Sequence, residues 1–225
     1  MGKLIAIEGV DASGKQTQTE LLCRRLPCAK LVRFPNYQSD SSALVKLYLN
    51  GAFGTRAEDV SPEVASVFFA CDRFASYKTD WGEYYRQGGV IIADRYVTSN
   101  MIHQACKIEN SAQQQSFLSW VEQFEYGLMG LPRPDLVLFL DMPPEYGMKL
   151  MKERENKSNG KREKDIHERD KGYLQRAYDT AVSIAEQMNW CRLACVEDGV
   201  IKTPEQISCE VWEKVASILD GDEMI

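Results

Sequence analysis

The sequence predicts a three-layer α/β domain, with a parallel sheet of five strands between helices. Three observations lead there. Short β-rich runs alternate with longer segments of helical spacing. The runs are almost continuously apolar, as strands covered on both faces must be. A glycine-rich turn stands directly between the first run and the first helical segment.

The elements follow in order. Leu4-Ile5-Ala6-Ile7, within Lys3 to Glu8, is the first strand, and Gln18 to Leu26 carries Leu21, Leu22 and Leu26 at helical spacing. Leu31-Val32-Arg33-Phe34 is the second strand. Ser61 then caps a helix over Pro62 to Tyr77, with proline at the first helical position, where its missing N–H costs nothing. Val90 to Ala93, Leu136 to Leu140 and Cys191 to Val196 complete the strands. Thr203-Pro204-Glu205-Gln206 opens a last helix as a capping box, and Ile207, Val211, Val215, Ile218 and Leu219 line one face of it. Right-handed crossovers then close the layers. No Pro/Gly-rich linker divides the chain, so residues 1–225 read as one domain.

Composition narrows the partners. A net charge of -6 speaks against a general nucleic-acid surface, which needs a basic face. No run approaches the roughly 20 apolar residues that span a bilayer, so no membrane partner is expected. Met1 leads straight into the first strand without a signal peptide, and the seven cysteines are odd in number with no C-x-x-C. Reduced thiols in the cytoplasm are expected, with Cys191 and Cys195 packed in the core rather than holding a metal.

One segment differs from the rest. Lys152 to Lys171 holds eight Lys/Arg and six Asp/Glu, broken by Asn156, Ser158, Asn159 and Gly160. Such a run is either a solvated surface or a lid of about 152–171 that brings cations to phosphates.

The glycine-rich turn carries the chemistry. Gly9-Val10-Asp11-Ala12-Ser13-Gly14-Lys15 is G-x-x-x-x-G-K after a strand and before a helix. Glycines let the loop wrap a phosphate closely, its N–H groups turn inward, and the helix start adds positive potential. Lys15 brings a full charge to the β- and γ-phosphates. Gly9, Asp11, Ala12, Ser13, Gly14, Lys15, Gln16 and Thr17 are therefore the nucleotide-binding candidates. The next position usually carries a Ser or Thr hydroxyl for Mg²⁺; here it is Gln16, so carboxylates elsewhere must support the ion. A guanine-nucleotide switch is disfavoured, because Asn156-Lys157-Ser158-Asn159 ends on Asn where N-K-x-D needs Asp.

Several further motifs fall at strand ends, where an open α/β sheet forms its ligand crevice. They are Arg33-Phe34-Pro35-Asn36-Tyr37, Asp94-Arg95-Tyr96 and Leu131-Pro132-Arg133-Pro134-Asp135 running into Leu136 to Asp141; Phe69-Ala70-Cys71-Asp72-Arg73 adds a helical motif. Arg73 and Arg95 are two forks able to grip a phosphate. Phe69 precedes Arg73 by one helical turn, which sets an aromatic face and a guanidinium on one side. Phe69 alone could equally be core, and the arginines could be ion pairs with Asp72 and Asp94.

Together with Gly9-Val10-Asp11, and in this order from about Lys3 to Val196, these motifs resemble the thymidylate kinase family. The resemblance implies a P-loop kinase fold, ATP as phosphate donor, dTMP as acceptor, Mg²⁺ and a homodimer. It implies thymine stacked on Phe69, with Asp11 near the sugar 3′-hydroxyl and the metal. It places Asp94 on Mg²⁺ through water and Arg95 on the dTMP phosphate. Phe34, Pro35, Tyr37, Arg73, Ser99, Asn100 and Gln104 would complete the acceptor site, and Glu168 would approach the metal. His103 stands where the family commonly has a Tyr. Some members carry Arg directly after the loop Asp; Ala12 occupies that position here. The catalytic cations beside Lys15 and Arg95 are then expected from the lid, with Arg154 and Arg162 ranked ahead of Lys161. The adenine pocket is expected near Arg154 and residues 197–202.

Overall fold

The computed structural model describes residues 1–157 and 171–219. Its strands are β1 (Lys3–Glu8), β2 (Lys30–Arg33), β3 (Val90–Asp94), β4 (Leu136–Asp141) and β5 (Cys191–Ala194). They form one five-stranded sheet in the order β2-β3-β1-β4-β5, and every pairing in it is parallel. A short antiparallel pair, β6 (Val196–Glu197) and β7 (Val200–Ile201), follows β5.

Alternation along the strands builds the two covered faces. Leu4 and Ala6 of β1 join one apolar cluster with Ile91 and Ala93 of β3. Ile5 and Ile7 join another with Ile92, Leu138 and Leu140. Successive side chains point to opposite faces, so a strand that feeds two cores must be apolar throughout.

Helices cover both faces: α1 (Lys15–Arg25), α2 (Ala43–Leu49), α3 (Pro62–Ser76), α4 (Gly82–Arg86), α5 (Val97–His103), α6 (Ser111–Val121), α7 (Pro144–Lys157), α8 (Lys171–Gln187) and α9 (Pro204–Leu219). The Ser61 side chain accepts from the Val64 N–H, which caps α3 with Pro62 inside the first turn. Thr203 and Gln206 exchange the two bonds of a capping box at the start of α9. Two departures from the sequence reading matter. α1 begins at Lys15 rather than Gln18, because left-handed Gly14 turns the loop directly into the helix. Two π-helical stretches, Tyr77–Trp81 and Glu122–Leu128, extend α3 and α6. No helix among the described residues is long and apolar enough to cross a membrane. The seven cysteines are free thiols, with Cys195 buried and Cys191 packed against the same core.

Candidate active site

The loop between β1 and α1 is shaped by backbone that side chains would obstruct. Gly9 lies at φ 157°, and a Cβ there would meet Ser13 Oγ at 2.4 Å. Gly14 lies at φ 89° and Ala12 at φ 61°. Inside the loop, the Lys15 ammonium donates to the carbonyls of Gly9 at 2.7 Å and Val10 at 2.8 Å. Burial pushes its pKa down to about 8; Arg95 adds to the fall, and Asp11, Asp94 and Glu8 oppose it. Those charges therefore surround Lys15 at the carboxyl end of β1 and β3. Thr17 is half-buried on α1. Gln16 is exposed, and its amide donates to Glu20 at 3.1 Å along α1.

The turn after β3 forms the second charged centre. Arg95 adopts φ 67°, a left-handed conformation that costs a non-glycine residue about 1 kcal/mol or more. Glu8 holds it there. Its buried carboxylate accepts from the Tyr96 N–H at 3.0 Å and Thr98 Oγ1 at 2.7 Å, and Ser99 Oγ lies within hydrogen-bond reach of both its oxygens. The Ser99 hydroxyl, expected beside the sugar, is thus engaged by Glu8. Arg95 donates to Asp11 at 2.7 Å and lies 2.8 Å from His103 Nε2. A guanidinium can only donate, so Nε2 is the acceptor and His103 carries its proton on Nδ1. The ring of His103 stacks on Tyr173 of α8. Asp94 lies 3.8 Å from Arg33 and remains partly exposed.

The third centre lies between α3, α5 and the π-helical stretch after α6. Phe69 is half-buried, with Tyr48 of α2 packed edge-on against its ring. One turn later, Arg73 is 1% exposed, and its Nε and Nη2 grip Glu125 at 2.7 and 2.6 Å. Burial opposes the Arg73 charge, but the Glu125 carboxylate overcomes that and raises the guanidinium pKa. The sequence reading set Arg73 beside a phosphate; the structure turns its fork to a buried carboxylate. Asp72 is not its partner either. Asp72 accepts from the Asn36 N–H and Ser41 Oγ, and so ties the loop after β2 to α3.

Asn100 Nδ2 donates to Glu125 at 2.8 Å and to the Ser66 carbonyl at 3.1 Å. Gln104, one turn further on, is fully buried, and neither atom of its amide has a partner among the described residues. Phe34 is buried against Tyr96 in the core, Pro35 follows it through a cis peptide, and Tyr37 is half-exposed on the same loop. Arg154 falls near the end of α7; its side chain, with Lys161, Arg162 and Glu168, lies outside the described residues. The rest of the segment 158–170 lies outside them too.

Two side chains that organise these centres escaped the sequence reading, Glu8 and Glu125, and so did the backbone carbonyl of Ser66. Glu8 could have been suspected, since it is an acid at the end of an otherwise apolar strand. Glu125 and Ser66 carry no comparable signal.

A phosphate-wrapping loop at the carboxyl edge of a five-stranded parallel sheet, facing a second cationic centre, defines a P-loop kinase. Comparison with known proteins narrows the class. The family model for thymidylate kinase matches residues 7–220. The thymidylate kinase of Mycobacterium tuberculosis is 33% identical over 189 residues, covering 82% of this chain and 86% of the relative. The human thymidylate kinase is 34% identical over 145 residues, covering 63% and 61%. The solved structure of the Candida albicans thymidylate kinase superposes with a TM-score of 0.72 at 25% identity, covering 96% of this chain and 92% of that one. The chain belongs to the thymidylate kinase family.

Proposed function

We propose that the chain transfers the γ-phosphoryl group of ATP to dTMP, giving ADP and dTDP. One observation supports the acceptor above all. Both amide atoms of buried Gln104 are unsatisfied among the described residues, and Arg73 Nη1 and Asn100 Oδ1, on the helices that carry Phe69 and the turn before Gln104, make no hydrogen bond there. Unpaired buried polar groups are costly unless a ligand completes them. A pyrimidine stacked on Phe69 offers a flat face and a hydrogen-bonding edge together.

The phosphates fall to the other two centres. Lys15 and the loop N–H groups hold the donor, and Arg95, bonded to Asp11 of the same loop, meets the acceptor phosphate. The nucleophile is a phosphate oxygen already ionised at neutral pH, so no general base is required. The protein's work is alignment and charge neutralisation. The lid cations Arg154, Lys161 and Arg162 complete this role in the proposal, because Ala12 gives the loop no arginine of its own.

Mg²⁺ belongs to the same reading. Asp11 and Asp94 bring hard oxygens to the region around Lys15, and Mg²⁺ needs only one or two carboxylates beside nucleotide oxygens and water. Glu168 is the third candidate. No cluster of three ligating side chains exists among the described residues. When bound, the ion offsets negative charge on the phosphates.

A cytoplasmic location accords with seven free thiols. A homodimer through helix packing accords with exposed Leu44 and Leu47 on α2 and Val64 on α3. Neither nucleic acid nor membrane is part of this reading. An acceptor panel with ATP tests it: dTMP, dUMP, dCMP, UMP and thymidine. dTMP should give the highest kcat/KM. Preference for another acceptor would move the chain to a different nucleotide-kinase activity on the same fold.

A further inference from the structure

Glu125 has no exposed surface and sits in the π-helical stretch Glu122–Leu128. Phosphoryl transfer makes no demand on it. A buried carboxylate is costly unless its neighbours satisfy it, and here both oxygens are engaged. Oε2 accepts from Arg73 Nε at 2.7 Å, while Oε1 accepts from Arg73 Nη2 at 2.6 Å and Asn100 Nδ2 at 2.8 Å.

The consequence falls on Asn100. Its two N–H groups go to Glu125 and to the Ser66 carbonyl. A flipped amide would set its oxygen against a carboxylate and a carbonyl at once. Glu125 therefore fixes the amide with Oδ1 as the free acceptor. It also fixes the Arg73 fork with Nη1 as the free donor. Neither Asn100 Oδ1 nor Arg73 Nη1 makes a hydrogen bond among the described residues. The two groups share Glu125 Oε1, and a free donor on one with a free acceptor on the other matches a pyrimidine with C4=O and N3–H. It opposes a 4-amino pyrimidine, whose amine donates and whose N3 accepts.

We infer that Glu125 is a positioning residue that selects 4-oxo over 4-amino pyrimidine nucleotides by locking the polarity of Arg73 and Asn100. This rests on the acceptor reading above, and the test separates the two. Glu125→Asp keeps the charge opposite Arg73 but is too short to hold both partners; Glu125→Gln places an N–H against one of two donors. Steady-state kinetics with ATP would compare dTMP and dCMP for each variant and wild type, with thermal melting to confirm folding.

Loss of a hydrogen bond to a charged group predicts a rise in KM for dTMP on the order of 10-fold or more. The KM for ATP should stay as in wild type. The ratio of kcat/KM for dTMP over dCMP should fall by about the same factor, since a released amide accepts either edge. A folded Glu125→Asp protein with wild-type KM and ratio would overturn the inference. So would equal losses for both acceptors, which denote a structural role only. A wild type that uses dCMP as readily as dTMP would instead overturn the acceptor reading. If both variants unfold, hydrogen exchange at the Asn100 side-chain amide of unliganded wild type decides. Slow exchange supports the lock, and exchange at the free-solvent rate refutes it.

Discussion

In the proposed function, the phosphate end and the base end of the site are built in opposite ways. The phosphate end is one continuous stretch, Gly9 to Thr17, made chiefly of backbone N–H groups and one lysine. The base end draws Phe69, Arg73, Asn100, Gln104 and Glu125 from three separate segments and buries the four polar residues. A phosphate is recognised by charge and close approach, which a local loop can supply. A base is recognised by the direction of each hydrogen bond, and that requires side chains fixed by partners far away in sequence.

This comparison predicts that damage at the phosphate end lowers turnover and damage at the base end lowers acceptor affinity. The largest effect is expected at Lys15. Lys15→Met should fold, yet lose roughly 10²–10³-fold or more in kcat, the usual cost of a preorganised contact to transition-state charge. Near-normal dTMP phosphorylation by the folded variant would remove the loop from the mechanism. The lid follows. Alanine at Arg162 or Arg154 should lower kcat more than it raises either KM, because the charge it meets develops in the transition state. If the triple replacement of Arg154, Lys161 and Arg162 left kcat intact, the segment would be a solvated surface.

Phe69→Ala tests the other end. Stacking of a base on an aromatic ring is worth about 1–3 kcal/mol, so calorimetry should show dTMP affinity weakened by roughly 5- to 150-fold while ATP binding is spared. Unchanged dTMP affinity would return Phe69 to a packing role. Acidity gives a finer division. Burial lowers the Lys15 pKa to about 8. Below that pH the free enzyme carries the ammonium that the phosphates need; above it the charge is lost. The kcat/KM for ATP should therefore fall as pH rises through about 8, toward tenfold per unit, since this parameter reports the free enzyme. A profile flat to pH 10 would contradict it.

The smallest effect is expected at Gln16, whose amide is directed to Glu20. Gln16→Ser should be tolerated, while Asp94→Asn should shift the Mg²⁺ requirement upward. Loss of activity in Gln16→Ser with unchanged metal dependence in Asp94→Asn would reverse the assignment.

The same contrast explains what the sequence revealed. β1, β3 and β4 and the loop were legible because apolar runs and glycine spacing are local signals. The Arg73 partner was not. Asp72 is adjacent in sequence, but neighbours on a helix do not face each other, and it holds Asn36 and Ser41 instead. Glu125 lies 52 positions from Arg73, in a run that reads as an ordinary acidic helix surface. The extra residue per turn of a π-helix rotates the face that follows, and no spacing rule for α-helices anticipates it. Arg95 posed a similar difficulty, because its left-handed turn depends on Glu8 one strand away.

The most direct test of the account follows the transferred group itself. ATP labelled in its γ-phosphate would be incubated with enzyme, Mg²⁺ and dTMP, and the products separated. The label should appear in dTDP, at the β-phosphate, with one ADP formed for each dTDP and almost none without dTMP. Label released as inorganic phosphate regardless of acceptor would contradict the account.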